Sequence, residues 1–226
     1  MCGRFTSSQR REAIGERFEV AVPETYEERY NLAPQQRSLI VRERDDGREA
    51  VLAKWGLLPH WAKDAKIAFK MINARAETLT EKPAYRGLLG KYRCLIPADG
   101  FYEWRLGSDG NKQPVHFHLP GYELFAFAGL WTSRTDEARG EAVESCTIIT
   151  THPNELVAPV HDRMPVILPA EAEAVWLDPA ISKEHALALL QPYPAELMAA
   201  LPASTRANSI RNDDAGLLLP EDALAA

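Results

Sequence analysis

Cys2 is the first residue whose type and position could do chemistry. Initiator methionine is usually removed when a small residue follows it, so loss of Met1 from Met1-Cys2-Gly3 would leave Cys2 carrying both a free α-amine and a thiol. Such an amine has an ordinary pKa of about 7.7–8.0 and such a thiol one of about 8.5, so near neutral pH both are partly nucleophilic. An aldehyde attacked by the amine gives a Schiff base, and the neighbouring thiolate can close on it to a five-membered thiazolidine. The same pair could instead run acyl transfer, with the amine acting as base for the thiol. A cysteine that merely stands second would do neither, so the choice rests on what the rest of the chain brings to it.

Segment 71–78, MINARAET, places Asn73, Arg75 and Glu77 at alternate positions, so an extended chain would point all three to one face. They are interleaved with Ile72, Ala74 and Ala76, a pattern that fits a cleft wall as well as a plain surface. Glu103 lies between Tyr102 and Trp104, where an apolar setting would raise its pKa and suit it to proton transfer. An exposed carboxylate on a rim is the alternative. His152, His161 and Arg163 fall in a Pro-punctuated stretch, 150–165, that follows an apolar strand pattern, the kind of loop on which catalytic groups are presented. Trp55, Trp61 and Phe69 stand among Lys54, Lys63, Lys66 and Lys70. Cations interleaved with aromatics suit a single strand of nucleic acid, backbone on the charges and bases on the rings, although both tryptophans could equally be core. Cys94 and Cys146 sit in apolar strands and read as packing residues. Gly110, His116, His118, Glu123 and Gly129 come near the spacing of a cupin metal motif, but one gap is a residue short and no second motif follows, so a two-histidine face on an ordinary strand is preferred and no metal is expected.

The elements that must position these groups are mostly strands. SLIVRER and EAVLAKWGLL flank Asp46-Gly47, and RCLIPADGFYEWRL, QPVHFHL, LFAFAGLWTS and SCTIITT follow, with Asp109-Gly110 as a second turn dipeptide. Helices are expected over 8–18 behind a Ser cap, over 83–90 and 170–177, over 182–191 behind Ser182, and over 194–200 behind Pro194. Hairpin-connected strands with helices between them give an α+β fold with a curved, barrel-like, mainly antiparallel β-sheet core and flanking helices. One domain over 1–213 and a loosely held tail over 214–226 are expected.

The 226 residues are 46% hydrophobic and 26% charged, with 16 Pro, 13 Gly and three Cys, which excludes a disordered chain, a fibrous repeat and a disulfide scaffold. No apolar run nears the roughly 20 residues of a membrane span and the N-terminal segment lacks the apolar core of a secretion signal, so a cytoplasmic protein without membrane contact is expected. The net charge of -6 is unevenly spread: between Arg29 and Arg105, 15 basic residues stand against nine acidic ones, +6, whereas the remainder carries 11 against 23, -12. A local basic face on an acidic chain fits a few phosphate contacts better than bulk coating of duplex DNA.

Taken together, MCGRF, NLAP (31–34), WGLLPHWAK (55–63), NARAET (73–78), PADGFYEW (97–104), TT (150–151), HDRMP (161–165) and STRANSIRND (204–213) resemble the SOS response-associated peptidase (SRAP) family, in order and in spread. The resemblance implies a protein that binds abasic sites in single-stranded DNA, its processed N-terminal cysteine forming a covalent thiazolidine with the ring-opened sugar and shielding the lesion in the DNA damage response. Carried over by position, Cys2 would be the crosslinking nucleophile, Asn73 would orient the reacting end, Glu103 would transfer protons in formation and reversal, and His161 would assist opening of the sugar ring. Arg4 and Arg75 would hold flanking phosphates, with Trp61 against bases and Pro34 on the DNA side. The resemblance implies no cofactor and no metal; nothing in the chain points to an obligate dimer, so a monomer is expected, associated with the nucleoid when damaged DNA is bound. The family name also keeps open an N-terminal-nucleophile cysteine peptidase or amidohydrolase that removes Met1 itself.

Overall fold

The computed structural model describes residues 2–62, 64–107, 110–136 and 140–219. In chain order its strands and helices are β1 (Phe5–Ser7), α1 (Arg11–Phe18), β2 (Arg29–Leu32), β3 (Arg37–Arg44), β4 (Gly47–Trp55), β5 (Asn73–Arg75), β6 (Arg93–Ala98), β7 (Gly100–Leu106), β8 (Lys112–His118), β9 (Phe125–Asp136), β10 (Glu141–Thr151), β11 (Met164–Pro165), β12 (Ile167–Leu168), α2 (Ala170–Leu177), α3 (Lys183–Ala188) and β13 (Ala199–Pro202). The strands form two sheets. One runs β13-β8-β7-β1-β2, all antiparallel; in the other, β10, β4, β3, β6 and β9 pair in turn and β9 pairs back to β10, which closes a five-strand barrel. Closure leaves these strands no open edge. The α+β, barrel-like, mainly antiparallel expectation therefore holds, with one departure: β10 runs parallel to β4 and to β5.

Alternation along the barrel strands divides the core. Ile40, Trp55, Ile96, Phe127 and Ile148 cluster with Cys2, Phe5, Phe101 and Phe117, whereas Leu39, Val41, Leu95, Leu130 and Ile149 cluster with Ile14 and Phe18 of α1 and Trp176 of α2. Strands buried on both faces are what the apolar runs 93–98 and 124–131 require. Phe5 meets Trp55 and Phe127 edge to face, at 5.1 and 5.6 Å between centroids, and so anchors the amino terminus in the core. Burying such a ring stabilises by roughly 1.5–3 kcal/mol. β1 is paired on both sides, to β2 and β7, and Ser8 donates to the buried Asp99 carboxylate from both its N–H (2.7 Å) and its hydroxyl (2.8 Å). That use of Ser8 removes the expected cap, and α1 begins after Arg10 with no side-chain cap.

Other expectations are corrected by tertiary contacts. Segment 80–91 is a series of turns and not a helix, because the buried Arg93 guanidinium takes the carbonyls of Leu89 and Gly90 as well as that of Trp176. The helix expected over 194–200 is one 3-10 turn, Ala195–Leu197, after which the chain becomes β13 and pairs with Val115–His118. Ser182 does cap α3, accepting from His185 N–H at 3.1 Å. The chain past 213 is packed as far as it is described: Asp214 accepts from Gly216 N–H, and Leu217 is fully buried with Tyr102, Ala203 and Ala207. Gly47, at φ 111°, closes the first hairpin, and Asp109 of the second turn dipeptide lies outside the described residues, as do Lys63 and 220–226. Among the described residues no helix is long and apolar enough to cross a membrane.

The two histidines of the metal-like motif serve packing. His116 is buried, its Nε2 lies 3.2 Å from Thr6 Oγ1, and its ring stacks at 5.6 Å on that of His118, whose Nδ1 meets Leu119 O at 2.7 Å. Burial, and then the neighbouring His118, lower the His116 pKa from 6.5 to about 3. A histidine that is neutral when folded and protonated when unfolded contributes stability in full above its unfolded pKa and loses it as pH falls toward the folded one. Thermal stability is therefore expected to fall between about pH 6.5 and 3, by on the order of a few kcal/mol from this residue. His116→Gln should flatten that stretch relative to wild type; parallel melting profiles for the two proteins would contradict it.

Candidate active site and nucleic-acid interface

Cys2 is fully buried just ahead of β1, its Sγ 3.9 Å from the carbonyl of Arg4. Burial, and then the Glu103 carboxylate, push its thiol well above the ordinary range, so it rests protonated. The backbone carbonyl of Cys2 accepts a hydrogen bond from Asn73 Nδ2 at 2.7 Å. Asn73 is itself tightly placed. It opposes Ile148 in the parallel β5–β10 pairing, and the preceding carbonyl, of Ile72, accepts from Trp55 Nε1 (2.8 Å) and Ile148 N–H (3.1 Å). Asn73 Oδ1 is buried and has no partner among the described residues, leaving an acceptor beside Cys2.

Glu103 lies on β7 opposite Val115 and is 3% exposed. Burial raises its carboxyl pKa, and His161 is among the positive groups that pull it back. The two groups are thus electrostatically coupled. His161 follows a turn held by Asn154, whose Oδ1 accepts from Leu156 and Val157 N–H at 3.1 and 3.0 Å. His161 Nδ1 accepts the Arg163 backbone N–H at 2.9 Å, an arrangement in which a neutral ring carries its proton on Nε2. The same nitrogen lies 3.0 Å from the Asp162 carboxylate, the partner it would take when protonated.

Two clefts open here. The first, about 560 Å³, is lined by Gly3, Arg4, Glu103, Trp104, His161 and Asn208, with Lys112 also on its wall. The second, about 740 Å³, is lined by Trp61, Met71, Asn73, Arg75, Lys82 and Tyr85 among others. The structure thus groups Arg4, Glu103 and His161 on one cleft and Trp61, Asn73 and Arg75 on the other, with Asn73 bonded to Cys2. Arg75 is exposed, as is Trp61 at 58%, whereas Trp55 is core. Arg4 uses Nη1 on Asn31 Oδ1 (2.8 Å) and Ala207 O (3.0 Å), while its Nε is buried without a partner among the described residues. Pro34 is half-buried in the turn after β2 and lines neither cleft.

Glu77 is not on one face with Asn73 and Arg75, because the chain leaves β5 for a 3-10 turn at Ala76–Thr78 and Glu77 pairs with Arg163. Trp104, noted in the sequence only as an apolar neighbour of Glu103, lines the first cleft, 5.6 Å from the Arg4 guanidinium and with Nε1 donating to Asn208 Oδ1 at 2.7 Å. Strand alternation sets Glu103 and Trp104 on opposite faces, so no pattern in the sequence put both on one cleft.

Fold and site together define a protein whose buried second residue is bonded to Asn73 of one cleft and precedes Gly3 and Arg4 of another, both clefts furnished with cations and aromatic rings. The SOS response associated peptidase (SRAP) family model matches residues 1–210, and the chain belongs to that family. It is 45% identical over 222 residues to the abasic site processing protein YoqW of Bacillus subtilis, covering 96% of this chain and 99% of the relative. It is 36% identical over 227 residues to the abasic site processing protein HMCES of Gallus gallus, covering 86% of this chain and 67% of that one. A crystal structure of a protein from Bacteroides thetaiotaomicron superposes with a TM-score of 0.88 at 29% identity, over 97% of this chain and 99% of the other.

Proposed function

We propose that this protein processes abasic sites in single-stranded DNA by forming a thiazolidine between Cys2, after loss of Met1, and the ring-opened sugar. The α-amine attacks the C1 aldehyde, the carbinolamine loses its protonated hydroxyl as water to give a protonated imine, and the thiolate adds to the imine carbon, leaving a neutral N–H in the ring. The net change is loss of one water, so the crosslink needs no oxidant or reductant. A carboxyl raised by burial suits Glu103 to protonate the departing hydroxyl and then take the thiol proton. Asn73 holds the Cys2 carbonyl with Nδ2 and offers Oδ1 to the amine. His161, protonated beside Asp162, is the acid for opening the sugar. Arg4 and Arg75 take phosphates on the two sides, with Trp61 and Trp104 against bases.

The observation that carries this reading is the 2.7 Å bond to Cys2 from Asn73, a residue of the second cleft, while Cys2 itself precedes Gly3 and Arg4 of the first. The names of the relatives support the same substrate. Burial and Glu103 hold this thiol protonated, a state compatible with attack by the amine first. The test is an oligonucleotide with one abasic site: an adduct that survives denaturation is expected, and none with a tetrahydrofuran analogue, which has no latent aldehyde. Equal adducts on both would overturn the proposal. Arg75→Ala should weaken binding uniformly across sequences and lower the salt slope of binding by about one. An unchanged slope would remove Arg75 from the phosphate path.

A further inference from the structure

We infer that Glu77 is a positioning residue for the reaction proposed above, an inference that rests on that reading: paired with Arg163, it braces the strand that carries Asn73 against the loop that carries His161. Its carboxylate accepts two parallel bonds from Arg163, Nη1 to Oε1 at 2.7 Å and Nη2 to Oε2 at 2.9 Å, and Arg163 Nη2 also donates to Thr150 O at 2.7 Å. Thr150 opposes Arg75 in the β5–β10 pairing and Pro165 in the β10–β11 pairing. One guanidinium therefore ties together the turn after β5, the end of β10 and the start of β11. The backbone N–H of the same residue fixes His161 Nδ1. The path from the nucleophile to the imidazole then runs from the Cys2 carbonyl to Asn73, along the backbone through Ala74, Arg75 and Ala76, from Glu77 to Arg163, and from Arg163 to His161.

Stability does not account for this pair. Glu77 is 51% exposed at the side chain, and a pair open to solvent on one side is worth little to the fold even though Arg163 is only 14% exposed. Nor does binding of a polyanion, because a half-exposed carboxylate beside phosphate-binding arginines repels the strand. What the bidentate fork does supply is direction: it holds a planar group in one orientation, which a single-point contact would not. Displacing a reacting group by about 1 Å can cost up to on the order of a hundredfold in rate.

Repulsion and positioning predict opposite signs, which makes the test decisive. Glu77→Gln keeps the shape, deletes the charge and weakens the fork. At saturating abasic-site oligonucleotide, the crosslinking rate is expected to fall on the order of 10–100-fold while affinity for the strand holds or tightens. Glu77→Asp, which restores the carboxylate with a shorter reach, should recover part of the rate, and Arg163→Lys, which keeps the charge but loses the fork, should resemble Glu77→Gln. A Glu77→Gln protein that crosslinks as fast as wild type or faster would overturn the inference. If Glu77→Gln does not fold, judged by its melting transition, Arg163→Lys decides on the same readout. A wild-type protein that forms no crosslink in this assay would overturn the underlying reading instead, so the two failures are distinguishable.

Discussion

Cys2→Ala is expected to remove the denaturation-resistant adduct with abasic DNA entirely while leaving affinity for the strand within about threefold. The loss follows from the chemistry: without the thiol, the imine formed by the α-amine has no internal nucleophile to trap it and hydrolyses when the protein is unfolded. Holding amine and thiol on one residue makes ring closure intramolecular, an advantage that reaches many powers of ten in effective concentration, so a drop of at least about a thousandfold is the scale to expect. Binding is spared because the side chains assigned to the strand, Arg4, Arg75 and Trp61, keep their settings. Borohydride offers a finer check. It should trap the imine of the Cys2→Ala protein as a reduced secondary amine, and a variant that neither crosslinks nor can be trapped would mean that the amine is not the attacking group.

Retaining Met1 should be as damaging as losing the thiol. A variant with one bulky residue inserted between Met1 and Cys2 keeps its methionine, and the nitrogen of Cys2 is then an amide with no basic lone pair. The thiol alone can add to the aldehyde, but the hemithioacetal so formed reverts on denaturation. No stable adduct is expected, although Cys2 and every cleft residue are present. Intact mass of the variant before the reaction verifies that the methionine is retained. A full yield of adduct from such a chain would place the nucleophile elsewhere.

Much of this site could be named from the sequence and little of it could be assembled. Cys2, Glu103 and His161 stand out by residue type and setting, and the resemblance to the family singles out Asn73 and Arg75. The strand patterns survive well because period-two alternation and apolar runs are local signals: SLIVRER became β3 (Arg37–Arg44) and LFAFAGLWTS lies within β9 (Phe125–Asp136) apart from its first residue. The arrangement around Cys2 is set by contacts between distant segments. The three residues of β5 are a strand only because β10 runs beside them in parallel, more than 70 residues away in the chain. Glu77 leaves the face of Asn73 because the backbone turns at Ala76, and its partner Arg163 is 86 residues further on. Asn31 of NLAP is a clamp rather than a surface residue: its Nδ2 donates to the carbonyls of Ser209 and Asn212 at 3.1 and 2.7 Å and its Oδ1 receives Arg4, which fastens the segment 204–213 as a wall of the first cleft. Helix signals failed where a buried side chain claimed the backbone, as Arg93 does after Leu89. Local pattern thus gave the parts, and burial of polar groups with satisfied partners decided how they meet.

The acidic total charge and the basic stretch between Arg29 and Arg105 are reconciled by the same geometry. A strand captured covalently at one residue needs only a few phosphate contacts to be oriented, and a chain of net charge -6 avoids coating undamaged DNA. On the reading proposed above, full burial of Cys2 serves the same end, since it keeps the nucleophile from free aldehydes until a strand is bound.

The most direct test of the central claim is the mass of the product. Protein lacking Met1 is mixed with a single-stranded oligonucleotide carrying one abasic site, denatured and weighed intact, then digested to locate the modification. The expected result is a single species at the mass of protein plus oligonucleotide less one water, mapped to the Cys2 peptide and absent with undamaged DNA. An unmodified protein, in a sample whose mass verifies a free Cys2 terminus, would contradict the account.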